Sequence, residues 1–143
     1  MNNININNLK FNNINSNIFY LLPSILAFKK KYYFPSLVYF YEFMASISYH
    51  SVSKTEEKDE YLRRQNIDQF IALIVITINS FVIIERFHIT PYQCIISAIF
   101  AITSFIFYFK YANIDNTTQE NYDIYHPYWH LITGVGSAIL YVY

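Results

Sequence analysis

Apolar runs of membrane-spanning length alternate along the chain with short polar links. A span needs about 20 mainly apolar residues, within a range of about 17 to 25. The first run, residues 18–28, is short unless it borrows residues 14–17, and it closes on Lys29, Lys30 and Lys31. The second, residues 32–50, is long enough and carries Glu42, Ser46 and His50. A mixed-charge connector over 51–66 reads as a short solvated helix or loop at the membrane surface. The third run, 67–84, is rich in β-branched residues, but its length and freedom from breakers predict a membrane helix over a strand. A seven-residue link containing His88 leads to the fourth run, 89–109, and a polar connector over 110–125 holds Asp115, Glu120 and Asp123. The fifth run starts at His126, with Pro127 suited to a first helical turn, where its missing N–H is not needed.

This pattern predicts an all-α, multi-pass transmembrane helix bundle of about five spans. Residues 14–143 form a single domain, without internal repeat or linker, behind a polar, asparagine-rich tail over 1–13. No basic region followed by a small-residue cleavage site opens the chain, so no cleavable signal peptide is expected. Composition agrees: 54% of residues are hydrophobic and 14% charged, where soluble domains sit nearer a quarter charged. A formal net charge of zero gives no ground for a nucleic-acid partner. Cys94 is the single cysteine and forms no internal disulfide.

Alternating crossings set a parity. Span two ends on the side where span three begins, and span five begins there too. His50, Asp68, His126 and His130 therefore fall at one membrane face, at similar depth, whether or not the first run crosses. Lys29 to Lys31 and Arg86 lie on the opposite side in short links, while longer segments on the site side also carry cations, so orientation and compartment stay open.

That clustering carries the chemistry. His126 and His130 are four residues apart, which on a helix sets their Cβ atoms roughly 6 Å apart on one face. Histidines inside a membrane segment are costly and point to function. With His50 they make three imidazoles, which together with one water form an open, catalytic type of zinc site. Zinc lowers the pKa of such a water to about 7 and polarises a carbonyl oxygen. Asp68 is placed to take the water's proton as general base. Ser46, one turn before His50, is placed to hydrogen-bond the water or a developing oxyanion. Glu42 lies one turn further along that stripe, either supporting a ligand histidine from behind or too far away to matter.

Each residue alone has an ordinary explanation. A histidine at a span end bonds interfacial water, Asp68 suits a helix start, and Ser46 suits a helix–helix contact. What changes the reading is that three of only four histidines share a face with the serine and the aspartate. His88 falls on the other face as an interfacial residue, and Cys94 reads as packing. Trp129, Tyr125 and Tyr128 are substrate contacts or an interfacial aromatic belt. Gly134 and Gly136 read as points of close helix packing.

The set Ser46-x-x-x-His50, Asp68 and His126-x-x-x-His130 resembles the superfamily that unites alkaline ceramidases, adiponectin and progestin receptors, and myomaker-like proteins. The run His-Pro-Tyr-Trp-His-Leu-Ile-Thr-Gly-Val-Gly-Ser from His126 to Ser137 looks most like alkaline ceramidases; the stretch from Ser46 to Asp68 looks closer to the myomaker-like branch. The resemblance implies zinc on His50, His126 and His130, with Ser46 and Asp68 serving the water. It also implies a membrane lipid substrate, sphingolipid-like or another acyl lipid. Two features depart from it. The superfamily has seven spans, of which five are drawn here, and Gln69 stands where ceramidases carry an acidic residue. The expectation is a zinc-dependent intramembrane hydrolase of a lipid amide or ester. The alternative within the superfamily is a non-catalytic, zinc-stabilised membrane scaffold or receptor-like protein, and a third reading is an interaction protein without metal.

Overall fold

The computed structural model describes residues 13–52, 58–113 and 118–142. The tail over 1–12, the Lys-Thr-Glu-Glu centre of the first connector and Asp115 lie outside the described residues, which form helices joined by short turns, with no strand among them. Six α-helices follow one another: α1 (Asn13–Ser16), α2 (Leu21–Lys29), α3 (Tyr33–His50), α4 (Lys58–Arg86), α5 (Pro91–Phe107) and α6 (Gln119–Ile139). A 3-10 turn, Asn17–Tyr20, joins α1 to α2, and a π turn, Tyr108–Ala112, extends α5. Asn13, assigned from sequence to the tail, is helical.

Proline positions explain several of these boundaries. Pro23, Pro35 and Pro91 all sit in first turns, where no N–H is needed. Pro23 also has no N–H to offer the carbonyl of Phe19 four residues back, and the chain tightens to 3-10 there. Between α2 and α3 the chain reverses at Lys31, whose φ of 65° is left-handed, with the Lys31 and Tyr32 amides bonding back to Phe28 and Ala27 at 2.9 Å.

Two helices begin earlier than the apolar runs imply. The second half of the 51–66 connector is the opening of α4, where Asp59 and Glu60 sit in the first turn and favour the helix dipole. Glu60 there accepts bonds from Arg63 and Arg64 at 2.6 to 2.8 Å. At 29 residues α4 is about 43 Å long, against about 30 Å for a bilayer core. Asp68 therefore lies well inside α4, not at its start. Likewise α6 starts at Gln119, capped by the Thr118 side chain accepting from the Asn121 amide at 3.3 Å. Pro127 is thus inside the helix, contrary to its placing in a first turn.

In space α4 packs on α3, α3 on α2, α2 on α6 and α6 on α5, while α4 and α5 touch only sparingly. The bundle is apolar on the outside and small or polar within. Ser16, Asn17, Ser24, Ser36, Ser46, Ser97, Ser104 and Ser137 are buried, whereas Phe34, Phe70, Phe81, Ile84 and Ile102 are exposed. Two helices, Lys58–Arg86 and Pro91–Ala112 with its π turn, are long and apolar enough to cross a membrane. Gly134 and Gly136 do mark close approaches: an added Cβ would stand 2.6 Å from the Phe19 carbonyl oxygen and 2.5 Å from the Phe100 Cβ. At the end away from the histidines, Tyr39 donates to Asn79, Asn79 donates to Ser137 at 2.9 Å, and Arg86 donates to the Leu140 carbonyl. Tyr39, Tyr141, Leu140, Ala27, Val75 and Val82 fill the core around this network.

Candidate metal centre

Helix geometry brings three histidines together. His50 closes α3, and His126 and His130 stack one turn apart on α6. One ligand nitrogen from each lies within 4.8 Å of the other two, close enough to hold a metal ion. Ring centroids stand 4.6 Å apart for His126 and His130, 5.0 Å for His50 and His126, and 5.4 Å for His50 and His130.

The outer nitrogens explain how the inner ones are presented. His126 Nδ1 is 2.9 Å from the Ala112 carbonyl oxygen, which only accepts, so this nitrogen carries the proton. Ser16 donates its single hydroxyl proton to the Asn13 carbonyl at 3.0 Å. Its oxygen, 2.8 Å from His130 Nδ1, must then accept, so His130 too is protonated on Nδ1. Both rings are left with a bare lone pair on Nε2. Those two Nε2 atoms and the Nε2 of His50 are buried without a hydrogen-bond partner among the described residues. Three orphaned buried nitrogens converging on one point fit a metal ion; without one they would be an unexplained cost. Outer hydrogen bonds that fix tautomer and ring orientation are the usual support of metal-binding histidines.

Aromatic rings wall the centre. Tyr49 lies 4.5 Å from His50, Tyr122 4.4 Å from His126, Tyr20 5.5 Å from His130, and Trp129 5.3 Å from each α6 histidine. Trp129 is therefore part of the site wall, while Tyr128 is exposed and Tyr125 stacks on Phe107 and Tyr111 away from the histidines.

Beside the histidines runs a cavity of about 610 Å³, bounded chiefly by α4, α5 and α6, with Tyr20 and the α3 residues Glu42 and Tyr49 also lining it. It follows α4 from Gln65 to Ile83, about 27 Å of helix. Its lining is mostly apolar, with His126, Asp68 and Glu42 among the few ionisable groups that reach it. The Ser46 side chain on α3 stands close enough to Asp68 on α4 to favour its charged form, and Asp68 Oδ1 is buried without a partner. Of the residues expected at the site, the three histidines come together, while Ser46 and Asp68 lie near each other, Asp68 in the wall of a cavity that His126 also lines. His88 is exposed in the turn after α4 and Cys94 is buried in α5, both apart from it.

Sequence reasoning missed Ser16, Tyr20 and the Ala112 carbonyl. A signal existed for Ser16, because a polar Ser-Asn pair inside an isoleucine-rich run has to face an interior. None existed for Ala112, whose carbonyl is delivered by the π turn. In comparisons with family models, curated proteins and solved structures, no match to this chain is found.

Proposed function

We propose that this is a multi-pass membrane protein of about five spans in which His50, His126 and His130 hold zinc, and that it hydrolyses an amide or ester of a membrane lipid. The observation that carries the reading is the set of three buried, unpartnered Nε2 atoms beside an apolar cavity that also holds the Asp68 carboxylate. Three neutral imidazoles are the donor set of open, catalytic zinc sites. The membrane setting is supported by the two long apolar helices and by large apolar side chains facing outward on every long helix, a surface that water would not tolerate. The resemblance of the five site residues to the ceramidase and receptor superfamily points the same way.

Bound zinc would supply Lewis acidity and a water that ionises near neutral pH. The chain's own residues do the rest. Asp68 accepts a proton from the water on Oδ1, its oxygen without a partner. Ser46 on α3 stands beside that carboxyl and favours its charged form. The apolar cavity takes the hydrocarbon part of the substrate, and the aromatic wall keeps other water from the reacting atoms.

The test begins with the zinc content of detergent-purified protein, where about one zinc per chain is expected and is lost in a His126→Ala, His130→Ala double variant. Asp68→Asn should keep the metal and abolish turnover of a panel of lipid amides and esters. Retained metal with no hydrolysis by the wild type would leave the zinc-stabilised scaffold or receptor-like reading in its place.

A further inference from the structure

The hydrolase reading leaves one buried carboxyl without a task. Glu42 is only 2% exposed, its Oε2 has no hydrogen-bond partner, and it lines the same cavity as Asp68. It is the first member of the stripe Glu42–Ser46–His50, each one turn from the next on α3, so the Cβ atoms of Glu42 and Ser46 are about 6 Å apart. Ser46 in turn stands beside Asp68. Among the described residues the Asp68 carboxyl and the Tyr20 phenol lie close enough to act on Glu42 electrostatically, and no ion pair there includes it. Two buried carboxyls that act on each other without a cation do not both ionise, so the pair keeps a proton.

Resting on that reading, we infer that Glu42 is the acid that protonates the leaving oxygen or nitrogen, paired with Asp68 as the base. Water adds its oxygen to the acyl carbon and loses a proton to Asp68. The C–O bond of an ester or the C–N bond of an amide breaks, and the departing heteroatom takes the proton of Glu42. Asp68 then returns its proton to the neighbouring Glu42 carboxylate, so both groups are restored and the net change is one water consumed. Two carboxyl groups in one cavity that hold a proton between them, with the Ser46 hydroxyl beside Asp68 favouring the charge there, suit the division of labour that general acid–base pairs require. The base alone serves a substrate whose leaving group departs without a proton; the acid is needed when the leaving group is an alkoxide or an amine.

The experiment compares zinc-loaded wild type, Glu42→Gln, Glu42→Asp and Asp68→Asn on esters and amides of one fatty acid. One substrate has a nitrophenyl leaving group, and the others have alkyl alcohol or alkyl amine leaving groups. Zinc content is measured alongside. Glu42→Gln is expected to keep its zinc and to lose alkyl substrates by a factor of about 100 or more beyond any loss on the nitrophenyl ester. Glu42→Asp, which retains an acid, should show the same selectivity in smaller measure, and Asp68→Asn should lose all substrates together. Equal losses on both kinds of substrate in the two Glu42 variants, or no loss on either, would overturn the acid role while leaving the hydrolase standing. A wild type that turns over neither kind would overturn the hydrolase reading and the acid role with it.

Discussion

Replacing Ser16 by alanine removes one hydroxyl from the far side of the metal centre, and its effect can be worked from the bonds around it. Alanine is the best helix former, so α1 itself loses nothing. The Asn13 carbonyl keeps a donor, since Asn17 Nδ2 bonds it at 2.8 Å. The atom left without a partner is His130 Nδ1, on a ring with 0% exposure. A buried donor left unsatisfied costs about 1–3 kcal/mol. At 1.4 kcal/mol per tenfold, that is roughly a 5- to 150-fold change in affinity. The ring also loses what kept its proton on Nδ1; with the proton on Nε2, the lone pair no longer faces the centre. Outer partners of metal-binding histidines are worth 10- to 100-fold in metal affinity, and Ser16→Ala should weaken zinc binding by about that much. Competition against a zinc-binding dye in detergent measures it. Ser24→Ala supplies the control: it removes a buried 2.8 Å bond from serine to the Ser36 carbonyl, remote from the histidines, and should leave the dissociation constant alone. An unchanged constant in Ser16→Ala, or an equal change in Ser24→Ala, would refute the assignment of proton and lone pair on His130.

Other outcomes follow from the same contacts. Gly134→Ala drives a Cβ to within 2.6 Å of the Phe19 backbone oxygen; overpacking of this kind costs about 1–3 kcal/mol, and a displaced Phe19 takes Ser16 with it, so thermal stability and zinc affinity should fall together. Gly136→Ala meets the Phe100 side chain on α5 instead and should lower the unfolding temperature without weakening the metal. Lys31→Gly relieves a left-handed backbone at φ 65°, a strain of about 1–2 kcal/mol partly offset by the roughly 0.5–1 kcal/mol of extra chain entropy that glycine brings; chemical denaturation in detergent should show a small gain. Zinc at 100 times its dissociation constant should stabilise the folded chain by about 2.7 kcal/mol, read as a rise in unfolding temperature that a chelator reverses and that the His126→Ala, His130→Ala variant lacks.

How much of the site can be read from the chain depends on the range of the interaction that makes it. The pairing of His126 with His130 is local, fixed by four residues of helix, and an expected alternation of helix directions is enough to place His50 and Asp68 at the same end. The contact of Ser46 with Asp68 follows from that parity and from the single turn between Ser46 and His50. Ser16 and the Ala112 carbonyl could not be found this way, because each reaches its histidine through tertiary approach: one by the packing of α1 against α6, the other by a π turn. The starts of α4 and α6 were hidden for another reason. Apolar length marks where a helix meets lipid, whereas Asp59, Glu60 and the Thr118 cap mark where the backbone begins to coil. Pro127 shows the limit of a local signal. It suits a first turn, yet inside α6 it forgoes only the bond to the Asp123 carbonyl, and the cap two turns earlier has already fixed the helix.

The two sides of the cavity are held differently, and the proposed chemistry depends on the difference. On one side α1, α3 and α6 are tied together by the histidine cluster, by the bond from His130 to Ser16, and by the glycine contact that sets Phe19 against α6. Metal ligands have to hold their geometry within about half an ångström, and this is the part of the bundle where small residues let backbones approach and every outer nitrogen assigned a proton has an acceptor. On the other side α4 and α5 are joined by a short turn but barely pack on each other along their length, and α4 presents Asp68 and Gln69 to the space between them. Asp68 differs from the rest of that wall in having Ser46 of α3 beside it. The carboxyl proposed to meet the water thus stands beside α3, on the side of the histidines, while the rest of its helix lines a space about as long as a bilayer core is thick.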